Sequence, residues 1–352
     1  MKSLQKILDN IQPLNEDYMK RAKLKLDSLT KPVESLGRLE TIAQKYAAIR
    51  EDLNPSIKRK MIFTFAGDHG VVEEGVSAYP GEVTVQMVLN MLAGGAAVNV
   101  LARHAGAEVV IVDIGVNHDF APIGGLVIKK VGYGTKNFTK GPAMTRAEAL
   151  QSIRVGMELA DKYAGKGVDI MGTGEMGIGN TTPSSAILSV FTGLKAEEVT
   201  GRGTGIDDEA LRKKASIIEK AISVNRPDPE DPMDVLAKVG GFEIGGITGL
   251  IIGCAFHRIP VVVDGFISTA GAMIAVGLNP TINEYLFYSH LSSEAGHKQM
   301  LEKLGQQPIL DLDMRLGEGT GAVIAMSVIE AAVKVMTEMA TFESAGVDKV
   351  LE

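Results

Sequence analysis

Four stretches of the chain are continuously or almost continuously apolar, and each runs into glycine within a few residues. They are residues 61–66, which end at Gly67-Asp68-His69-Gly70, and residues 109–113, 168–171 and 259–264. A strand with one wet face alternates apolar and polar residues. A continuous run suits a strand buried on both faces, as inside a parallel sheet covered by helices. Helical patterns lie between the runs. Strand, glycine turn, helix and strand again predict an α/β fold, with a parallel Rossmann-like sheet flanked by helices. In such a sheet, ligands bind beyond the carboxyl ends of the strands. Asp68-His69, Asp113, residues 172–182 and Asp264 occupy those places.

The chain's ends are patterned differently. Leu4, Ile7 and Leu8 form one apolar stripe, and Leu24, Leu26 and Leu29 belong to a second segment. Leu36, Leu39, Ile42 and Ala43 recur at helical spacing in a third, with Pro13 and Pro32 as punctuation. Such an arm has no core of its own and must pack on something else. A last long helix is predicted over about residues 320–339, and residues 225–234, rich in proline and acid, predict an exposed connection.

Composition removes several classes of function. Tryptophan is absent, aromatics are 5% and the formal net charge is −7, which argues against stacking platforms and general nucleic-acid binding. A single cysteine, Cys254, excludes an internal disulfide or a thiolate cluster and sits in an apolar run that predicts a buried helix. The six histidines show no HExxH spacing. The N-terminus leads into a charged segment without an apolar core, so a soluble, cytoplasmic protein is expected, without membrane or nucleic-acid partners. Glycine is in excess, 40 of 352 residues, and in a globular chain it marks tight turns or backbone close to a ligand.

Two glycine clusters carry the chemistry. Gly172-Thr173-Gly174-Glu175-Met176-Gly177 follows a strand, and Asn180-Thr181-Thr182-Pro183 then reads as a helix start. Together they predict an anion site made of backbone N–H groups. A dinucleotide suits it poorly, since the motif lies mid-chain and Glu175 would repel a diphosphate; one phosphate or a ribose suits it better, and a plain tight turn is the alternative. Arg315-Leu316-Gly317-Glu318-Gly319-Thr320-Gly321 opens the last helix. A carboxylate there could simply cap the helix dipole, but a cap needs no flanking glycines, which leave space for something bulky beside Glu318. Asp68, His69 and Asp264 have the residue types of a divalent-cation site at irregular spacing, so a metal-dependent hydrolase is one competing reading and pocket-lining polar groups the other. Ser289-His290-Leu291-Ser292-Ser293-Glu294 suits a helix cap and a phosphate site equally.

Taken in order, Lys31-Pro32, Ser35-Leu36-Gly37-Arg38-Leu39-Glu40, Asp68-His69-Gly70-Val71, residues 172–182, Lys238-Val239-Gly240-Gly241-Phe242, Asp264-Gly265-Phe266 and Arg315 to Gly319 span nearly the whole chain. This set resembles the nicotinate-nucleotide:dimethylbenzimidazole phosphoribosyltransferase family. The resemblance implies transfer of a phosphoribosyl group from nicotinate mononucleotide to a benzimidazole-type base, with no cofactor or metal. It also implies a homodimer in which a small helical domain joins both chain ends (residues 1–58 and 319–352) beside an α/β core (59–318). It assigns Glu318 as general base, Glu175 as the second catalytic carboxylate, and Gly177, Lys214 and Ser292 to the phosphate. Tyr79 and Gln86 match the segment enclosing the base, and Gly174, Asn180, Thr181, Asp264, Arg315, Leu316 and Gly317 complete the expected substrate-binding set. The chemistry is coherent: a pyridinium leaves without protonation, while the incoming azole must lose its N–H proton, so one carboxylate suffices as base. A non-catalytic, nucleotide-sensing regulator is the third reading.

Overall fold

The computed structural model describes residues 4–348. The expected sheet is there, built from β1 (Lys60–Gly67), β2 (Ala107–Gly115), β3 (Leu126–Ile128), β4 (Ile170–Met176), β5 (Val261–Val263) and β6 (Leu286–Tyr288). All neighbours are parallel, in the order β3-β2-β1-β4-β5-β6. Every residue of β1 is buried, as its continuous apolar run requires. The chain leaves β1 toward β2 and returns to β4 on the other side, so the topological switch point lies between β1 and β4.

Helix Phe242–Phe256, the predicted buried helix, packs on Arg146–Ala164 and holds Cys254 in the core. Burial pushes the Cys254 thiol far above its ordinary pKa, which suits a core residue rather than a nucleophile. The N-terminal arm folds as Leu4–Leu8, Glu16–Asp27 and Arg38–Arg50. Arg38–Arg50 lies against the last long helix, Thr320–Glu338, and Leu29 bridges to Thr341. A buried ion pair, Lys31–Glu40 at 2.8 Å, closes the arm. Thr320–Glu338 also packs on β4 and β5, so these helices and the sheet share one hydrophobic core. The expected connection at 225–234 is shorter than its composition suggested, because Asp231 caps and Pro232 opens helix Pro232–Val239.

Two segments, Val83–Ala105 and Thr320–Glu338, are long and apolar enough to cross a bilayer by length and composition. The first is broken into Val83–Leu92 and Ala97–Ala105, and the second is a core helix packed on the sheet.

Candidate active site

A cavity of about 670 Å³ opens beyond the carboxyl ends of β4 to β6, where the open-sheet rule puts a ligand. Glu175 arrives at the end of β4, and the turn after it leads through Asn180 into helix Thr181–Thr192. Glu318 arrives on the loop before Thr320–Glu338. Both carboxylates line the cavity.

The loop around Glu318 has an unusual backbone. Gly317, Glu318 and Gly319 all have positive φ, at 85°, 64° and 100°. For a glutamate this conformation costs about 1–3 kcal/mol, and it persists only because its surroundings over-determine it. Thr64 Oγ1 donates to the Glu318 carbonyl at 2.8 Å, and the Glu318 N–H donates to the Glu175 carbonyl at 3.2 Å. Asp264 accepts from the N–H groups of Gly319 (3.1 Å) and Ala322 (2.9 Å). The carboxylate itself accepts from Val98 N–H at 3.2 Å, at the start of Ala97–Ala105.

Here one expectation needs correcting. The glycines beside Glu318 and Glu175 do not chiefly make room for a ligand. A Cβ on Gly317 would stand 2.1 Å from Glu175 Oε1, and one on Gly174 would stand 2.3 Å from the Glu318 carbonyl oxygen. The space left by the missing side chains is filled by protein, and it brings the two glutamates together.

That proximity sets their protonation. Burial pushes the Glu175 carboxyl up to about 8; the Asn180 side-chain amide, which donates to it, opposes this, and the charges of Asp264, Glu243 and Glu318 add to it. Burial also raises Glu318, against the Val98 N–H and with help from Asp264. At neutral pH Glu175 therefore holds its proton, while at Glu318 burial and Asp264 disfavour the ionised form and the Val98 N–H favours it.

Lys214 is 1% exposed, while its neighbours Arg212 and Lys213 are exposed, so it does not belong to a solvated helix face. Its Nζ donates to Thr181 Oγ1 (2.6 Å) and the Gly201 carbonyl (3.3 Å), and burial lowers it to about 8 despite nearby Glu294. It stands behind the cavity wall and reaches it through Thr181. Arg315 donates to the Gly203 carbonyl at 2.8 Å, tying the Glu318 loop to the 201–205 turn. Leu316 and Tyr79 line the cavity and are more than half exposed. Ser292, Asn180, Thr181, Gly177 and Gly317 line it as expected.

Three further expectations shift. Gln86 is exposed and lies outside the cavity; Val83 and Met87, one helical turn apart, face it instead. Asp264 binds backbone behind the wall, and Gly174 is covered by Glu318. The hydroxyl-rich segment at 289–294 caps no helix, since His297–Lys303 starts after Gly296; Ser292 Oγ accepts from Glu294 N–H and both residues line the cavity. Sequence reasoning missed His290, Glu294, Phe266 and Ile267 as wall residues, although the first two lie in that segment.

The residues of the metal reading are engaged elsewhere. Asp68 accepts from Asn117 N–H at 2.8 Å and His69 pairs with Glu243 at 2.8 Å, both beside a second cavity of about 560 Å³. Among the described residues, no three His, Cys, Asp or Glu side chains converge as a metal-ligand set.

A parallel sheet, a glycine-turn helix start, a buried lysine bonded to Thr181 and two buried carboxylates thus meet at one cavity of an α/β fold. The phosphoribosyltransferase family matches residues 11–347, and the chain belongs to it. It is 60% identical over 347 residues to the nicotinate-nucleotide–dimethylbenzimidazole phosphoribosyltransferase of Geobacter sp. (strain M21), covering 99% of both chains. The enzyme of that name from Chlorobaculum tepidum is 56% identical over 343 residues, 97% of each chain. A crystal structure of the Thermus thermophilus enzyme of that name superposes with a TM-score of 0.90 at 43% identity, covering 96% of this chain and 100% of that one.

Proposed function

We propose that the protein transfers the phosphoribosyl group of nicotinate mononucleotide to 5,6-dimethylbenzimidazole or a related azole. The products are nicotinate and α-ribazole 5'-phosphate, a building block of the cobalamin lower ligand. The observation that carries the chemistry is the pair of carboxyls lining one cavity, Glu175 held by Asn180 with its pKa pushed up to about 8 and Glu318 accepting from Val98 N–H. The relatives' names support the substrates.

Glu318 takes the azole proton as the ring nitrogen attacks the anomeric carbon, and the neutral pyridine leaves from the opposite face. Attack in line inverts that carbon, which turns a β-nucleotide into an α-product. Protonated Glu175 donates toward the reacting ribose or base, and Asn180 holds it in place. Thr181, backed by Lys214, and Ser292 hold the phosphate. Val83, Met87, Leu316 and Tyr79 supply an apolar wall for the flat base. We assign Arg315 to holding the 203 turn and Asp264 to holding the Glu318 loop. We also take the protein to be a cytoplasmic homodimer, in which residues 1–58 and 319–352 form the small helical domain.

The test is a chromatographic assay for nicotinate on mixing the protein, nicotinate mononucleotide and a panel of azoles. Nicotinate release that requires an azole supports the reading. No release with any benzimidazole or purine sinks it, and binding without turnover would favour the regulator.

A further inference from the structure

Helix Val83–Leu92 stands between the two cavities. Val83 and Met87 face the first, while Val85 and, at the N-cap, Glu82 face the second. That second cavity, of about 560 Å³, lies beyond the carboxyl ends of β1 and β2. None of its lining residues has a part in the proposed transfer. Its size suits a small organic molecule, and its fixed charge has one sign. Asp68, Glu73 and Glu82 line it, and no lysine or arginine among the described residues does. Of its two histidines, His118 is exposed, and His69 Nε2 is taken by Glu243 at 2.8 Å, so that pair adds no net positive charge.

An acidic lining carries little by itself. The second observation is a set of buried polar atoms left without partners. Asn117 N–H satisfies Asp68 Oδ2 at 2.8 Å, yet Oδ1 of the same carboxylate is buried and has no partner among the described residues. Thr135 is 7% exposed and lines the cavity, and its Oγ1 is likewise buried and unpartnered, as is Nδ1 of His69. Backbone bonds hold Asp68 and Thr135 side by side. Thr135 N–H donates to the Asp68 carbonyl at 2.9 Å, and Gly70 N–H donates to the Thr135 carbonyl at 2.9 Å. An unpaired, buried carboxylate oxygen is costly, and a donor that carries positive charge answers it best.

The lining narrows the choice of cation. A divalent metal ion wants about six oxygen ligands, and no three His, Cys, Asp or Glu side chains converge among the described residues. A primary ammonium has three N–H donors, and Asp68 Oδ1 and Thr135 Oγ1 offer it acceptors. Toward solvent, Glu82 is exposed at the helix start, and Glu73, also exposed, is shared with Lys140 at 3.0 Å. Val72 and Val85 add half-buried apolar wall. Carboxylates at two depths beside a hydrocarbon wall match an aliphatic chain with a positive charge at each end. We propose that the second cavity binds an aliphatic diamine or polyamine, with one ammonium on Asp68 and Thr135 and the other toward Glu82. This does not rest on the proposed transfer.

The experiment is calorimetric titration of the full-length protein with 1,4-diaminobutane, butylamine and magnesium chloride at constant ionic strength. The diamine binds saturably, as a single site, and more tightly than the monoamine. Asp68→Asn keeps an acceptor for Asn117 N–H but removes the charge, and it weakens diamine binding about tenfold or more. Glu82→Gln, at an exposed position, weakens it about two- to fivefold. Glu338→Gln, which alters an exposed glutamate at the end of Thr320–Glu338, changes nothing. Absence of saturable diamine binding overturns the inference. So does equal weakening in Glu338→Gln, which would make the attraction nonspecific, and so does tighter binding of magnesium that displaces the diamine, which would give the site to a metal. If Asp68→Asn cannot be purified, Thr135→Val decides: it removes Oγ1 and keeps the backbone bonds, and unchanged diamine affinity there overturns the inference. Nicotinate release is measured separately, so failure of the reaction and failure of this site are distinguishable.

Discussion

The two glutamate-bearing turns look alike in sequence, each a glycine cluster that opens a helix, yet they do different work. Glu175 ends a regular strand, and its environment is what matters: buried and held by Asn180, it keeps a proton up to about 8. Glu318 sits in a left-handed backbone between two glycines, and its position is what matters, fixed by Thr64, Val98 and Asp264 through neighbouring backbone. One turn sets a protonation state by desolvation; the other places a carboxylate by strain held in check.

The sharpest way to break this contrast is to remove the Glu318 carboxylate. Glu318→Gln should lower kcat by about 10²–10⁴-fold, while calorimetry shows nucleotide binding retained. A near-wild-type kcat would pass the base role to Glu175.

The next largest effect tests the strained turn. Gly317→Ala meets both a positive φ of 85° and a contact of 2.1 Å with Glu175, and should cost about 2–5 kcal/mol in denaturant unfolding together with most of the activity. Gly305→Ala is the control: its φ is +64° with nothing within 4 Å of the added carbon, so it should cost only about 1–2 kcal/mol and leave activity alone. Equal costs would mean that the packing of Gly317 on Glu175 is unimportant.

A smaller effect sharpens the protonation half. The native Glu175 carboxyl titrates near 8 against an ordinary 4.5, so between those values the folded protein holds the proton more firmly than the unfolded chain. That stabilisation is complete below the lower value and is lost as pH rises through the upper one. Glu175→Gln keeps the contact with Asn180 and removes the proton, so its urea midpoint should fall less than the wild-type midpoint between pH 5.5 and 8.5. Parallel declines would place the titration elsewhere. Smallest of all, Arg315→Ala removes one exposed tie to Gly203 and should change stability by no more than about 1 kcal/mol, with a modest rise in KM as the loop loosens.

The sheet was legible because continuous apolar runs ending in glycine have few other solutions, and β1 is buried along its length as that pattern demands. The two glutamates were legible because a carboxylate amid glycines at a helix start is unusual. Gln86 was misplaced because one residue of helical register turns a side chain by about 100°, and only packing decides which of Gln86 and Met87 faces in. His290 was overlooked because a lone histidine carries no spacing signal.

By itself, the sequence determined the parallel α/β layer, its ligand-binding edge and the pair of acids, since these follow from local burial patterns and residue type. Tertiary structure alone decided what the glycines are for. The atoms that fill the space at Gly174 and Gly317 come from segments more than a hundred residues away in the chain, and so does the Val98 N–H that the Glu318 carboxylate accepts. Desolvation and contact depend on what folds against a residue, and local sequence does not record that.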